Sequence, residues 1–326
     1  MIQEDSIKSS RCKPSVLRRF KCSGLFLIVC LLAESLAFVE RGWRVNTRGH
    51  QRKHKGVLFA VDSSKDQMTS PGLYRKFWEH GWKEIQESGL FQDMTLPSDL
   101  EQNEAPAKGM KDSVVKITTR AMTPSEGNSD LVLYARMALL ETVSTTSGES
   151  LVQSSGIQVL NFVIIPASST SLPVLGIDLV TLPGGKNLLL LDAQPMIHPN
   201  PYEECWKDWH ESCVVGNSRF PWGGDFPEPV QKYVSKYALW TRLTNSDEEN
   251  TVDTIQNDVY DAFVGHLERY LNLLQECRTS GQFEGTNHQP SYLDYRRNND
   301  PAKPMLNSLY GLEWTNRILD EVLFPQ

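Results

Sequence analysis

The chain has few of the residues around which most redox enzymes are built. Of its six cysteines, Cys12, Cys22 and Cys30 stand within the first 30 residues. The others, Cys205, Cys213 and Cys277, are too far apart to form a CxxC pair. Three thiols make an odd set with no disulfide framework, and an iron–sulfur or zinc centre needs more ligands at closer spacing. No metal site is therefore expected. Glycine-rich phosphate loops are missing too. Gly184 and Gly185 form a lone pair and not a GxGxxG run, so a bound dinucleotide is not expected. The residues after position 60 lack positive charge, with 21 Lys+Arg against 36 Asp+Glu. Binding to a phosphate backbone requires clustered cations, which argues against nucleic acid as a partner. If the protein does redox chemistry, its electrons must come from outside.

The cations missing from the body are concentrated at the start. Residues 1–60 hold 12 Lys+Arg and 4 Asp+Glu. Lys8, Arg11, Lys13, Arg18, Arg19 and Lys21 precede the apolar run Leu25–Leu32, which is too short for a membrane span and ends in the small-residue sequence Ser35-Leu36-Ala37. Phe38 follows, then Arg41, Arg44, Arg48, Arg52, Lys53 and Lys55 with almost no acids. This order reads as a signal peptide over 1–37 and a plastid transit segment and linker over 38–65. It looks like the bipartite leader of an alga with a secondary plastid, and a mature protein with no membrane segment is expected. The folded domain is expected at 70–326.

Within that domain, Phe77, Trp78, Trp82 and Ile85 recur at helical spacing, and residues 97–112 read as a polar loop. Strands are expected at 113–120, 157–165, 174–182, 187–191 and 237–243, while 131–143 fits a strand or a helix. Pro183-Gly184-Gly185 marks a tight turn, and short connections imply an antiparallel meander. Trp206 and Trp209 fall in a helical stretch, and 216–229 reads as an ordered loop. Residues 251–277 show helical periodicity, and a loop over 279–290 leads to a last helix. The expected fold class is α/β, a three-layer α/β/α sandwich around a central, mainly antiparallel sheet.

Several blocks, in order, carry a resemblance that covers about residues 70–326. They are VLNFVIIPASSTSLPVLGIDLVTL at 159–182, LLLLDAQP at 188–195, FPWGGDFPE at 220–228, YALWTRL at 237–243 and YLDYRRNNDPAKPML at 292–306. Together they resemble the ferredoxin-dependent bilin reductases. The details are most similar to the branch that reduces the A-ring diene of 15,16-dihydrobiliverdin to phycoerythrobilin. The phycocyanobilin-forming branch carries a His and a Glu whose best matches here are Ala138 and Thr118, which argues against that branch. The resemblance implies an oxidoreductase acting on CH–CH bonds, with no bound cofactor and reduced ferredoxin as external electron donor. Its partners would be the bilin, ferredoxin and, for substrate hand-over, the preceding bilin reductase.

The resemblance also implies roles for particular residues. Asp178, between Ile177 and Leu179 in a strand, reads from sequence alone as either a local hydrogen-bonding acid or a buried carboxyl; the family match favours a proton donor. Asp300, before Pro301, suits a helix N-cap and, by resemblance, a second donor. Arg242 matches a family arginine that holds a bilin propionate, as a bidentate guanidinium can. Asp192 is expected to be structural, and Trp222 and Trp240 to fill core more than to wall a pocket. His198, His210 and His266 show no ligand spacing. Lys232, Lys236, Arg296, Arg297 and Lys303 are candidates for a local basic patch that attracts ferredoxin.

Overall fold

The structure, a computed structural model, describes residues 72–325 except 148–155, 227, 245–247, 282–284 and 286–288. The expected leader segments, 1–37 and 38–65, lie outside the described residues. Strands β1 (Phe91–Met94), β2 (Gln102–Pro106), β3 (Ser113–Pro124), β4 (Val132–Ser144), β5 (Gln158–Pro166), β6 (Val174–Leu182), β7 (Lys186–Gln194) and β8 (Leu239–Thr244) form one sheet. Its order is β1-β3-β4-β5-β6-β7-β8, with β2 also paired to β3, and every pairing is antiparallel. The expected three-layer sandwich is what forms. The segment 131–143, open between helix and strand, is β4. The loop expected over 97–112 is instead a one-turn helix α2 (Ser98–Glu101) followed by β2. β2 is polar, with only Ala105 buried, so it carries no apolar alternation; pairing to β3 makes it a strand.

One face of the sheet, here the rear, is covered by α1 (Arg75–Glu87) and α6 (Tyr260–Ser280). The apolar stripe of α1 is Phe77, Trp78, Trp82 and Ile85, all buried. On α6, Phe263, Leu267, Tyr270, Leu271 and Leu274 repeat at three- and four-residue steps and face the sheet. Phe263 sits edge-on to Phe77 at 5.3 Å and packs on Phe162 of β5. The helix ends where Gly281 takes a left-handed conformation and its N–H donates to the Cys277 carbonyl. Tyr74, Thr181 and Asn187 form a buried hydrogen-bonded chain that ties the start of α1 to β6 and β7.

The front face carries the C-terminal helices α7 (Gln289–Asn299), α8 (Lys303–Tyr310) and α9 (Leu312–Ile318), followed by a π-helical turn, Leu319–Leu323. The single last helix expected from sequence is thus several short ones. Leu306, Ile318 and Val322 pack on Ala121, Ala138 and Val163 of β3–β5. A second, separate apolar patch lies on β6–β8, where Phe226, Val230 and Val234 cover Val180, Leu188 and Trp240. These covering residues come from the segment around α4 (Glu228–Gln231). The front is therefore roofed by two pieces, which meet where Tyr233 packs on Tyr292 and Tyr295 of α7.

The β6–β7 hairpin decides what β6 shows to each side. Leu182 pairs with Lys186 across Pro183-Gly184-Gly185, and both glycines adopt positive φ (87° and 74°), which few other residues tolerate. In this register Ile177 and Leu179 join the rear core, and Asp178 and Val180 face front. β6 is buried along its whole length, so its apolar run is nearly continuous, and Asp178 is the single charge in it. Replacing Phe263 by Ala should cost ~3–5 kcal/mol, read as a lower urea midpoint in equilibrium unfolding, because the void lies against Phe77, Phe162 and Gly81 with little room to collapse.

Candidate active site

A cleft with a cavity volume of about 70 Å³, open to solvent on one side, lies at the seam between sheet and C-terminal helices. Its floor includes Ala138, Asn161 and Asp178, neighbours on β4, β5 and β6 at one level of the sheet. Its roof includes Arg296, Asp300 and Met305. Asp178 and Asp300, more than 120 residues apart in sequence, thus line one cavity, and both are buried.

Asp300 sits in the turn between α7 and α8. Its Oδ1 accepts from the Ala302 N–H at 2.8 Å and its carbonyl from the Lys303 N–H at 3.1 Å. The helix begins at Lys303, two residues later than an N-cap at Asp300 would require, but the carboxylate still satisfies the entry to the helix. Its Oδ2 faces the Arg296 guanidinium at 3.3 Å. Arg296 also donates to the Tyr292 hydroxyl at 3.2 Å. Asp178 accepts at Oδ1 from Asn161 Nδ2, and Asn161 Oδ1 in turn accepts from Arg136 Nη1. Two carboxylates and two guanidiniums therefore share one buried cluster.

Burial raises the Asp178 pKa above the ordinary carboxylate value. Arg296, the Asn161 hydrogen bond and Arg136 pull it back, while the Asp300 charge adds to the rise. Arg136, fully buried, is pulled down to about 10 by burial and by the like charge of Arg296. Asp192, by contrast, is buried against Ser235, whose N–H and hydroxyl both donate to it, which agrees with a structural role.

Arg242 does not line this cleft. It stands on β8 on the same front face, in the level of the sheet that holds Val180 and Leu188. Its guanidinium lies over the Trp240 ring at 5.3 Å and beneath Gly224. Two strand spacings, about 10 Å, separate it from β6. Of the two tryptophans expected in core, Trp240 is buried but Trp222 is 62% exposed, because its short backbone pairing with Thr241 lays it along the outer edge of β8.

The expected basic patch does not form as read. Arg296 is turned into the cleft and paired with Asp300. Arg297 points inward to the carbonyls of Phe324 and Pro325, and Lys236 is paired with Glu204 at 2.6 Å. Arg136 and Asn161 were not expected in the site at all. Each is the polar exception in an apolar run, Arg136 in YARMALL and Asn161 in VLNFVII, and a buried polar residue needs a partner. Thr118, matched to a family acid, faces the rear with Leu139, and Thr119 shares the front face with Ala138. Among the described residues no group of three or more His, Cys, Asp and Glu is placed to hold a metal ion, and no helix is long and apolar enough to cross a membrane.

The described residues thus form a mainly antiparallel sheet with a buried carboxyl pair under a helical roof. Comparison with known proteins gives the class. The profile of the family "Ferredoxin-dependent bilin reductase" matches residues 148–325. A phycoerythrobilin:ferredoxin oxidoreductase of Gloeobacter violaceus is 32% identical over 260 residues, which cover 77% of this chain and 95% of that protein. Its namesake in Nostoc punctiforme is 30% identical over 273 residues, 81% and 96% of the two chains. Another, from Prochlorococcus marinus subsp. pastoris, is 38% identical over 182 residues, 53% of this chain and 68% of its own. Among solved structures, tomato phytochromobilin synthase in complex with biliverdin superposes with a TM-score of 0.57 at 19% identity, over 77% of this chain and 82% of that one. The chain belongs to the ferredoxin-dependent bilin reductases. It is an oxidoreductase that draws its electrons from ferredoxin and acts on a bilin.

The raised pKa of Asp178 has a consequence for stability. Between the ordinary carboxylate value of 3.8 and its raised value, the native state binds more protons than the unfolded state, so stability falls as pH rises through that window. Asp178→Asn removes this contribution. Its unfolding free energy should fall less steeply over the same pH range than that of the unaltered protein, measured by urea titration at a series of pH values.

Proposed function

We propose that the enzyme reduces the A-ring diene of 15,16-dihydrobiliverdin to phycoerythrobilin, with Asp178 and Asp300 as proton donors. The observation that carries this reading is that the two buried carboxyl groups line one cleft. The choice of substrate rests on the relatives named phycoerythrobilin:ferredoxin oxidoreductase. One reduced ferredoxin passes an electron to the bound pigment, giving a radical anion far more basic than the parent. One aspartic acid protonates it. A second reduced ferredoxin supplies the second electron, and the other acid the second proton, so that two electrons and two protons convert the conjugated diene. Both carboxylates then recover protons from solvent through the open side of the cleft. The raised pKa of Asp178 keeps a transferable proton on it at a pH where an ordinary carboxyl is ionised. Arg242 holds a propionate beyond the cleft, on the same face of the sheet. The basic leader directs the protein to a plastid, where ferredoxin and the preceding bilin reductase meet it.

Anaerobic turnover of 15,16-dihydrobiliverdin with reduced ferredoxin, followed by chromatography, should give phycoerythrobilin, whereas biliverdin should pass unchanged. Conversion of biliverdin to the 15,16-dihydro form would assign the preceding step instead. Asp178→Asn and Asp300→Asn should each retain the absorption change of pigment binding and lose about 10²-fold or more in turnover. Arg242→Gln should chiefly raise KM, by about tenfold, as expected for removal of a charge-assisted contact to a carboxylate made alike in ground and transition states.

A further inference from the structure

We propose that Arg136 is a positioning residue for this reaction: through Asn161 it sets which oxygen of Asp178 carries the proton, and it is itself held by the C-terminal segment. The inference rests on the assignment of Asp178 as a donor. Arg136 is fully buried and does not line the cleft, so it acts on the substrate only through a neighbour. A guanidinium has donors and no acceptor. Asn161 must therefore turn its carbonyl oxygen toward Arg136 Nη1, which leaves its Nδ2 aimed at Asp178. An asparagine without that neighbour is free to flip its amide and present an acceptor instead. Fixed as it is, Asn161 occupies Asp178 Oδ1 as an acceptor. The acidic proton is then confined to Oδ2.

The other end of Arg136 reaches the C-terminal segment. Its Nε donates to the Leu323 carbonyl at 2.9 Å, and its guanidinium lies 5.2 Å from the Phe324 ring centre. Arg296 contacts the same ring at 5.1 Å, and Arg297 donates to the Phe324 carbonyl at 3.0 Å. The seating of Leu323 and Phe324 thus reaches Asp178 through two side chains. The charged and titratable groups acting on Asp178 are Arg136 from β4, Tyr292 and Arg296 from α7, and Asp300 from the α7–α8 turn.

The test uses Arg136→Met, Asn161→Leu and the double variant in the full chain, with kcat, KM and the pH profile measured on 15,16-dihydrobiliverdin and reduced ferredoxin. Each single variant should lower kcat by about ten- to a hundredfold with little change in KM. Each should also move the alkaline limb of the profile to higher pH, because the cation and the donor removed both favour ionised Asp178. The double variant should be no slower than the slower single one. A purely structural role lowers the melting temperature and leaves the alkaline limb in place; that result, or multiplicative losses in the double variant, overturns the proposal. If Arg136→Met does not fold, Asn161→Leu decides on the same limb, and Arg136→Lys, which keeps the charge, should restore part of kcat. Full turnover in Asp178→Asn overturns the donor assignment itself. An inactive Asp178→Asn beside an Arg136→Met variant with an unchanged profile overturns the present inference alone.

Discussion

The front of this molecule is organised by one costly act, the burial of Arg136, Asp178 and Asp300, with the largely covered Arg296, between sheet and helices. Removing any ion from water costs several kcal/mol, and mutual attraction recovers this only when geometry and further hydrogen bonds are good. Here the two carboxylates are not paired symmetrically. Asp300 faces its arginine directly, whereas Asp178 is separated from Arg136 by a neutral amide. An intervening amide weakens the stabilisation of the ionised form by Arg136, and burial raises the pKa of Asp178. Two acids of the same type thereby acquire different surroundings.

The two sides of the sheet divide the work. The rear is an aromatic core in which Phe77, Phe162, Tyr260 and Phe263 meet mostly edge to face, with few ionisable groups inside. The front carries two separate apolar patches, and the ionic cluster occupies the space between them. The rear holds the larger apolar core. This leaves the other side able to keep charges underground and a cavity unfilled.

Sequence patterns revealed the rear better than the front, for a physical reason. Helical and alternating periodicity report which residues lie against a single apolar surface, so α1, α6 and strands β3 and β5 to β8 are legible within a few residues, while β4, apolar nearly throughout, reads equally as strand or helix. β1 and β2 are not legible, because short polar edge strands owe their form to β3 and not to their own composition. The aspartates were found by resemblance, and sequence alone left Asp178 open between two roles. Arg296 was misread because an arginine in a polar helix looks like surface. Only the fold of α7 against Phe324 turns it inward. Arg136 and Asn161 are polar intruders in apolar strands, a signal that the sequence reading passes over, and nothing in the sequence tells that they are neighbours.

The hairpin at Pro183-Gly184-Gly185 has a bearing on how this family can change. A strand has only two sides, so the location of its single acid is a matter of parity. Adding one residue to that loop and shifting β6 to match would deliver the carboxyl into the aromatic core and present Ile177 or Leu179 to the cleft. No gradual path of intermediate positions connects the two outcomes. Length variation among descendants of this chain should therefore gather in connections such as the one between β4 and β5, and spare the three residues that keep the count.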